Sequence, residues 1–178
     1  DDYAKEILHL LSGYFLERHQ KEKAKPYLEQ LVANYEKSVR LEELESEQRI
    51  EQIVLIGELY NDLHKFEKAE RWLNHALKSM ETVDDGRKKW QLRILREKGF
   101  ALFELNQHSK ALAASLKVLY LDRSLSDQQR YDLNLRIASS YVKLNRNKEA
   151  KAIYRKMLNN FEDSERQKEV EALLGNLM

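Results

Sequence analysis

A short helix–turn–helix phrase that recurs four times restricts this chain more than any other feature. Leu144-Asn145-Arg146-Asn147-Lys148-Glu149-Ala150 has a counterpart in Leu105-Asn106-Gln107-His108-Ser109-Lys110-Ala111. A third copy is Leu63-His64-Lys65-Phe66-Glu67-Lys68-Ala69, and a looser one is Arg18-His19-Gln20-Lys21-Glu22-Lys23-Ala24. Each ends on an alanine in the opening turn of its second helix. Those alanines, Ala24, Ala69, Ala111 and Ala150, lie 45, 42 and 39 residues apart. Self-similarity of this size marks stacked repeats, because one helix pair cannot bury its apolar stripe alone and its neighbours must cover it. The recurring small side chains then mark where helix backbones approach closely.

Apolar periodicity predicts the helices. The first pair covers about Tyr3–Arg18 and Lys21–Val39, and the second about Ser46–Leu63 and Phe66–Thr82. The third covers Arg87–Leu105 and His108–Leu121, and the fourth Asp127–Leu144 and Lys148–Phe161. Asp84-Asp85-Gly86 reads as a turn. Ser126 with Gln129 three positions on has the form of a capping box. Asp163 or Ser164 opens a last helix, residues 165–177, with Val170, Leu173, Leu174 and Leu177 on one stripe. Glu165, Gln167, Lys168, Glu169 and Glu171 are left for water, as the end-cap of a repeat array requires. The charge-rich stretch Val39–Glu51 reads either as a helix extension or as a connector.

At these residues the chain resembles the tetratricopeptide repeat family, whose unit is 34 residues. The copies are Lys5–Ser38, Ile50–Val83, Leu92–Leu125 and Tyr131–Ser164. The second shows it best, with Gly57, Tyr60, Phe66, Ala69 and Ala76 in the family's small and aromatic places. The fourth matches with Ile137, Ala138, Tyr141, Ala150 and Tyr154. The third has Gly99, Leu102 and Ala111, but departs at Lys98 and at Ser115, where an aromatic is usual. The first keeps Leu8, Leu11, Ser12, Phe15, Ala24 and Leu28. Prolines that normally close each copy are missing. The resemblance implies one all-α domain over residues 1–178, a right-handed α-solenoid of four helical hairpins plus a C-terminal capping helix.

The resemblance also implies a concave face lined by the first helix of each pair, where partners bind. Its positions fall on Glu6, His9 and Gly13, then Glu51, Val54, Glu58, Asn61 and Asp62. Arg93, Arg96, Phe100 and Phe103 follow, then Asp132, Leu135, Ser139 and Val142. The partner-binding set is drawn from these: Glu58, Asn61, Asp62, Arg93, Arg96, Phe100, Phe103, Asp132 and Ser139. Arginine pairs bidentately with carboxylates, and exposed aromatics anchor partners. Phe100 and Phe103 read equally as ordinary core, since their helix is apolar on several sides. Family members that grip the carboxylate tail of heat-shock chaperones use asparagines where this chain has Gly13 and Leu55. Half of that clamp is missing, which argues against this ligand.

Composition narrows the function classes. With 31 Lys+Arg against 30 Asp+Glu, the formal net charge is +1. That balance argues against a dedicated nucleic-acid or anionic-membrane surface. The run Lys21-Glu22-Lys23-Ala24-Lys25 reads as a solvated face, although Tyr14, Tyr27 and Tyr35 are interleaved nearby. No apolar run approaches the roughly 18 residues of a membrane span. There is no cysteine, so disulfides and thiolate metal sites are impossible. His9, His19, His64, His75 and His108 form no metal-binding pair four residues apart, and there is no phosphate loop or nucleophile elbow. No cofactor, metal or catalytic residue is expected.

The sequence therefore points to a non-catalytic scaffold or adaptor for a peptide segment or partner protein. Two alternatives stay open: a homo-oligomerisation module, and a regulatory or sensor domain of a longer protein, which the start at Asp1 permits. The stretch Asn159-Asn160-Phe161-Glu162-Asp163-Ser164 resembles repeats of bacterial envelope-assembly proteins. That shades the expected setting toward a soluble bacterial protein, of periplasm or cytoplasm.

Overall fold

A computed structural model describes residues 2–40, 44–80, 87–160 and 164–177. Among them are nine α-helices and no strand. They are α1 (Asp2–Glu17), α2 (Lys21–Arg40), α3 (Ser46–Asp62), α4 (Phe66–Ser79) and α5 (Arg87–Glu104). Then come α6 (His108–Leu121), α7 (Asp127–Lys143), α8 (Asn147–Asn160) and α9 (Ser164–Gly175). The expected all-α architecture of four hairpins and a terminal helix is present, with bounds within a few residues of the periodicity. Between Val39 and Glu51, α2 runs on to Arg40 and α3 starts at Ser46. The turn at Asp84-Asp85-Gly86 and the cap at Asp163 lie outside the described residues. The capping box forms as read: Ser126 Oγ accepts from Gln129 N at 3.2 Å, and Ser126 N donates to Gln129 Oε1 at 3.0 Å.

All four hairpins turn by the same device. His19, His64, Asn106 and Asn145 hold φ of 56°, 54°, 58° and 59°. Each sits just past the end of the first helix and donates to a carbonyl three residues back, as in His64 N to Asn61 O at 2.9 Å. The next amide reaches five residues back: Gln20 to Phe15 and Lys65 to Tyr60 at 2.9 Å, Gln107 to Leu102 and Arg146 to Tyr141 at 2.8 Å. These two bonds form a Schellman closure, which satisfies carbonyls that the helix end leaves over. The carbonyls of Gln20, Lys65, Gln107 and Arg146 then accept from Ala24, Ala69, Ala111 and Ala150 and so start the second helices. Helix end and helix start share one residue, which fixes the hairpin angle.

The ruler alanines behave as their recurrence demands, since all four are 0% exposed. Twelve positions before each and four after it stand Ser12 and Leu28, Gly57 and Leu73, Gly99 and Ser115, Ala138 and Tyr154. All eight residues are buried. A Cβ added to Gly57 would lie 2.7 Å from Leu73 Cγ and Cδ2, so glycine is what lets Leu73 fill that place.

The chain divides into two compact units, Asp1–Glu97 and Lys98–Met178, with the division inside α5. In the first, α1 packs on α2, α2 on α3 and α3 on α4. Leu28, Leu31, Ile53, Ile56 and Leu73 form its interior. In the second, α6 packs on α7, α7 on α8 and α8 on α9. Val170 of α9 is buried with Tyr131, Ala138, Ala150, Tyr154 and Met157, and Leu173, Leu174 and Leu177 pack against that cluster. The terminal helix thus caps its unit with the stripe the sequence marks.

Candidate functional site

The first unit carries an open groove of about 660 Å³ between α1, α2 and α3. Lys5, Glu6 and His9 come from α1, and Tyr35 and Ser38 from α2. Glu51, Gln52 and Leu55 come from α3, with Leu44 and Gln48 beside them. His9 Nε2 and the Tyr35 hydroxyl are 2.8 Å apart. Burial lowers the His9 pKa, which favours the neutral ring that can accept from that hydroxyl. Lys5 Nζ donates to Ser38 Oγ at 3.2 Å and lies 5.2 Å from the Tyr35 ring centre. Gln52 Oε1 is buried in the wall without a hydrogen-bond partner among the described residues. Of the concave-face expectations, Glu6, His9 and Glu51 line this groove, as does Leu55 at the clamp position. Val54 is 0% exposed and belongs to the core. Sequence reasoning missed Lys5, Tyr35, Ser38 and Gln52, because Tyr35 and Ser38 lie on a second helix and meet α1 across about 30 residues of chain.

A second polar set in the same unit joins α3 to the start of α5. Arg93 grips Glu58 with both arms, Nε to Oε1 at 2.7 Å and the second nitrogen to Oε2 at 2.7 Å. Its guanidinium also lies 5.4 Å from the Trp90 ring centre. The hydrogen bond to Glu58 raises the Arg93 pKa. The fork expected to hold a ligand carboxylate is therefore occupied from within. Arg96 Nε donates to Glu97 Oε1 at 3.2 Å. Asn61, a candidate contact, is 2% exposed, and its amide donates to the Glu97 carbonyl at 3.1 Å. It lies beneath the surface as a brace between α3 and α5. Asp62 stays on the surface. Crowding by protein, then the charges of Glu97 and Glu58, push its pKa up to about 6, with Lys21 opposing.

The remaining candidates lie in the second unit. Phe100 is half-buried, with the Arg136 guanidinium 5.2 Å from its ring centre. Phe103 is half-buried and meets His108 edge-on at 5.1 Å. Asp132 is exposed and accepts from Gln128 at 2.8 Å. Ser139 is half-buried and hydrogen-bonds Tyr154. Leu135 and Val142 pack on the core cluster and face inward. Among the described residues, no group of three His, Asp or Glu is placed to hold a metal, and no helix is long and apolar enough to cross a membrane.

Comparison with known proteins agrees with this architecture. Residues 8–38 and 132–164 match the tetratricopeptide repeat family. A crystal structure of a kinesin light chain-like protein from Podosopora anserina, described as nearly identical TPR-like repeats, superposes with a TM-score of 0.69. It is 18% identical and covers 97% of this chain and 84% of its own. A variant of the same repeats gives 0.68 at 17% identity, with the same coverage. At such identity the likeness speaks for the fold, an α-solenoid of helical hairpins. No curated protein sequence matches.

Proposed function

We propose that this chain, whose residues 8–38 and 132–164 match the tetratricopeptide repeat family, is a non-catalytic scaffold or adaptor that holds an extended peptide segment of a partner. The groove of α1, α2 and α3 is the seat. The observation that carries this reading is the buried Gln52 Oε1 in its wall, which has no hydrogen-bond partner among the described residues. A buried acceptor without a donor costs about 1–3 kcal/mol, and a peptide N–H laid along the groove would remove that cost. Leu44 and Leu55 offer apolar contact beside it, and Lys5, Glu6 and Glu51 offer both signs of charge. In this reading Asp62 and Arg96 in the first unit, and Phe100, Phe103, Asp132 and Ser139 in the second, are further partner-facing side chains, while Arg93 and Glu58 hold each other. Asn61 supports them from below.

The test is selection of a random displayed peptide library on the full chain, followed by affinity measurement of the enriched peptides. Leu55→Lys should weaken them by about ten-fold or more, which is about 1.4 kcal/mol, with helicity unchanged. Arg96→Glu combined with Phe103→Ala should weaken partners that use the α5 positions. Peptides that bind the Leu55→Lys chain as tightly as the parent would overturn the groove as the seat.

A further inference from the structure

α1 has a third face that neither the core nor the groove uses. Leu8, Ser12, Phe15 and Leu16 are partly or fully buried, and Lys5, Glu6 and His9 line the groove. Tyr3, Ile7, Leu10 and Tyr14 fall on one stripe at the i, i+4, i+7, i+11 spacing of a helix-pairing seam. They are exposed by 75%, 39%, 69% and 50%, and Leu11 beside them by 37%. Large apolar side chains left in water along one stripe mark a protein contact rather than a solvated face. α9 shows the opposite arrangement. On α9, Glu165, Lys168, Glu169 and Glu171 are exposed along with the small side chains of Ser164 and Ala172, while its large apolar residues are spent on the core.

We infer that the α1 stripe is covered by the same stripe of a second copy of this chain, in an antiparallel helix pair about a two-fold axis. Size argues for it. The five side chains offer on the order of 600 Å² per copy, so two copies bury roughly 1,200 Å², the lower bound of a stable specific interface. Self-complementarity argues for it too. Antiparallel pairing sets Tyr3 opposite Tyr14 of the second copy, and Ile7 opposite Leu10. On the flanks, Glu6 meets Gly13 of the second copy and Ala4 meets Leu11, so no like charges oppose each other. A Cβ added at Gly13 meets nothing within 4 Å in the monomer, so that flank is open for approach. The two-fold contact is isologous and closes on itself, giving dimers and not filaments.

Sedimentation velocity across a concentration series tests this. The parent chain should pass from monomer to dimer in the micromolar range. Leu10→Lys, at a site that makes little contact within the monomer, should weaken the dimer by about a hundred-fold and leave helicity unchanged. Orientation is read by crosslinking, since the chain has no cysteine. Tyr3→Cys with Tyr14→Cys places thiols about 16 Å apart in one helix, too far to bond within a chain. On oxidation the double variant should form covalent dimers, and neither single variant should. A parent chain that stays monomeric at hundreds of micromolar, a dimer indifferent to Leu10→Lys, or ready crosslinking of the single variants would each overturn the proposal. The groove variant Leu55→Lys should dimerise as the parent does, which separates this contact from peptide binding.

Discussion

The second and third hairpins place the same two positions against each other and fill them differently. In the second, Gly57 of α3 faces Leu73 of α4, and a Cβ on the glycine would meet the leucine at 2.7 Å. In the third, Gly99 of α5 faces Ser115 of α6, and a Cβ there would meet Ser115 Oγ at 3.2 Å. One pairing is glycine against a fully buried leucine. The other sets two small residues together, and its hydroxyl lacks a hydrogen-bond partner among the described residues. The same local geometry thus serves tight packing in one hairpin and a looser, unsatisfied contact in the other. A recurring position states how much room there is, while its occupant states how well the room is used.

The largest break in that contrast should come from truncation. Leu73→Ala leaves a cavity in a 0% exposed site and should cost about 3 kcal/mol in urea unfolding, against a range of about 2–5 for such changes. Ser115→Ala removes the unpartnered hydroxyl and should be neutral or stabilising by up to about 1 kcal/mol. Equal losses at both sites would mean the two pairs are packed alike. Next in size are the glycines. Gly57→Ala overpacks Leu73 by about 1–3 kcal/mol, offset by about 1 kcal/mol of helix propensity, for a net loss. Gly99→Ala meets a rotatable hydroxyl as its one tight contact, with Ala114 Cβ at 3.5 Å and the Ala111 carbonyl at 3.7 Å in ordinary contact, so propensity should win and its thermal midpoint should rise. Opposite signs are the expectation, and a matching sign would refute the packing account.

The turns sharpen the comparison at a smaller scale. His64 and Asn106 both hold left-handed φ, a conformation that asparagine tolerates better than histidine. His64→Gly should stabilise by up to about 1 kcal/mol, and Asn106→Gly by less, read from paired thermal melts. The smallest effect belongs to Asp62 at the end of α3. Its pKa is raised in the fold to about 6 from 3.8, so the folded state holds the proton more tightly and the ionised group is a liability above that range. Asp62→Asn should raise stability by a few tenths of a kcal/mol at pH 7.5, discounted for solvent screening at this exposed site. The gain should shrink as pH falls through 6 and vanish below about 4. A gain that persists at pH 3.5 would show that the charge is not its source.

Much of the architecture was legible because it is written in local periodicity. Helix bounds follow from apolar spacing, the capping box from Ser126 and Gln129, and the terminal cap from Val170, Leu173, Leu174 and Leu177. The ruler alanines were legible for the same reason, since repetition exposes a steric demand that one copy would hide. The turns were less so. His19 and His64 adopt a conformation usually given to glycine, and the Schellman bonds that hold them there involve backbone alone. The candidate site was legible only in part. Glu6, His9 and Glu51 line the groove of the first unit, which also draws on Tyr35 and Ser38 from a neighbouring helix. Arg93 was read as available for a partner, whereas Glu58, 35 residues away, already fills its fork.

The sequence by itself determined that this protein is a run of helical hairpins, where each hairpin turns, and which residues must stay small, because those demands act over a few residues and repeat. Only the tertiary structure decided which charges cancel, which side chains of different helices share a wall, and that the Tyr3–Tyr14 stripe of α1 is left uncovered. Those outcomes depend on which distant side chains the packing of helices brings within a few ångströms, and no short-range pattern encodes that.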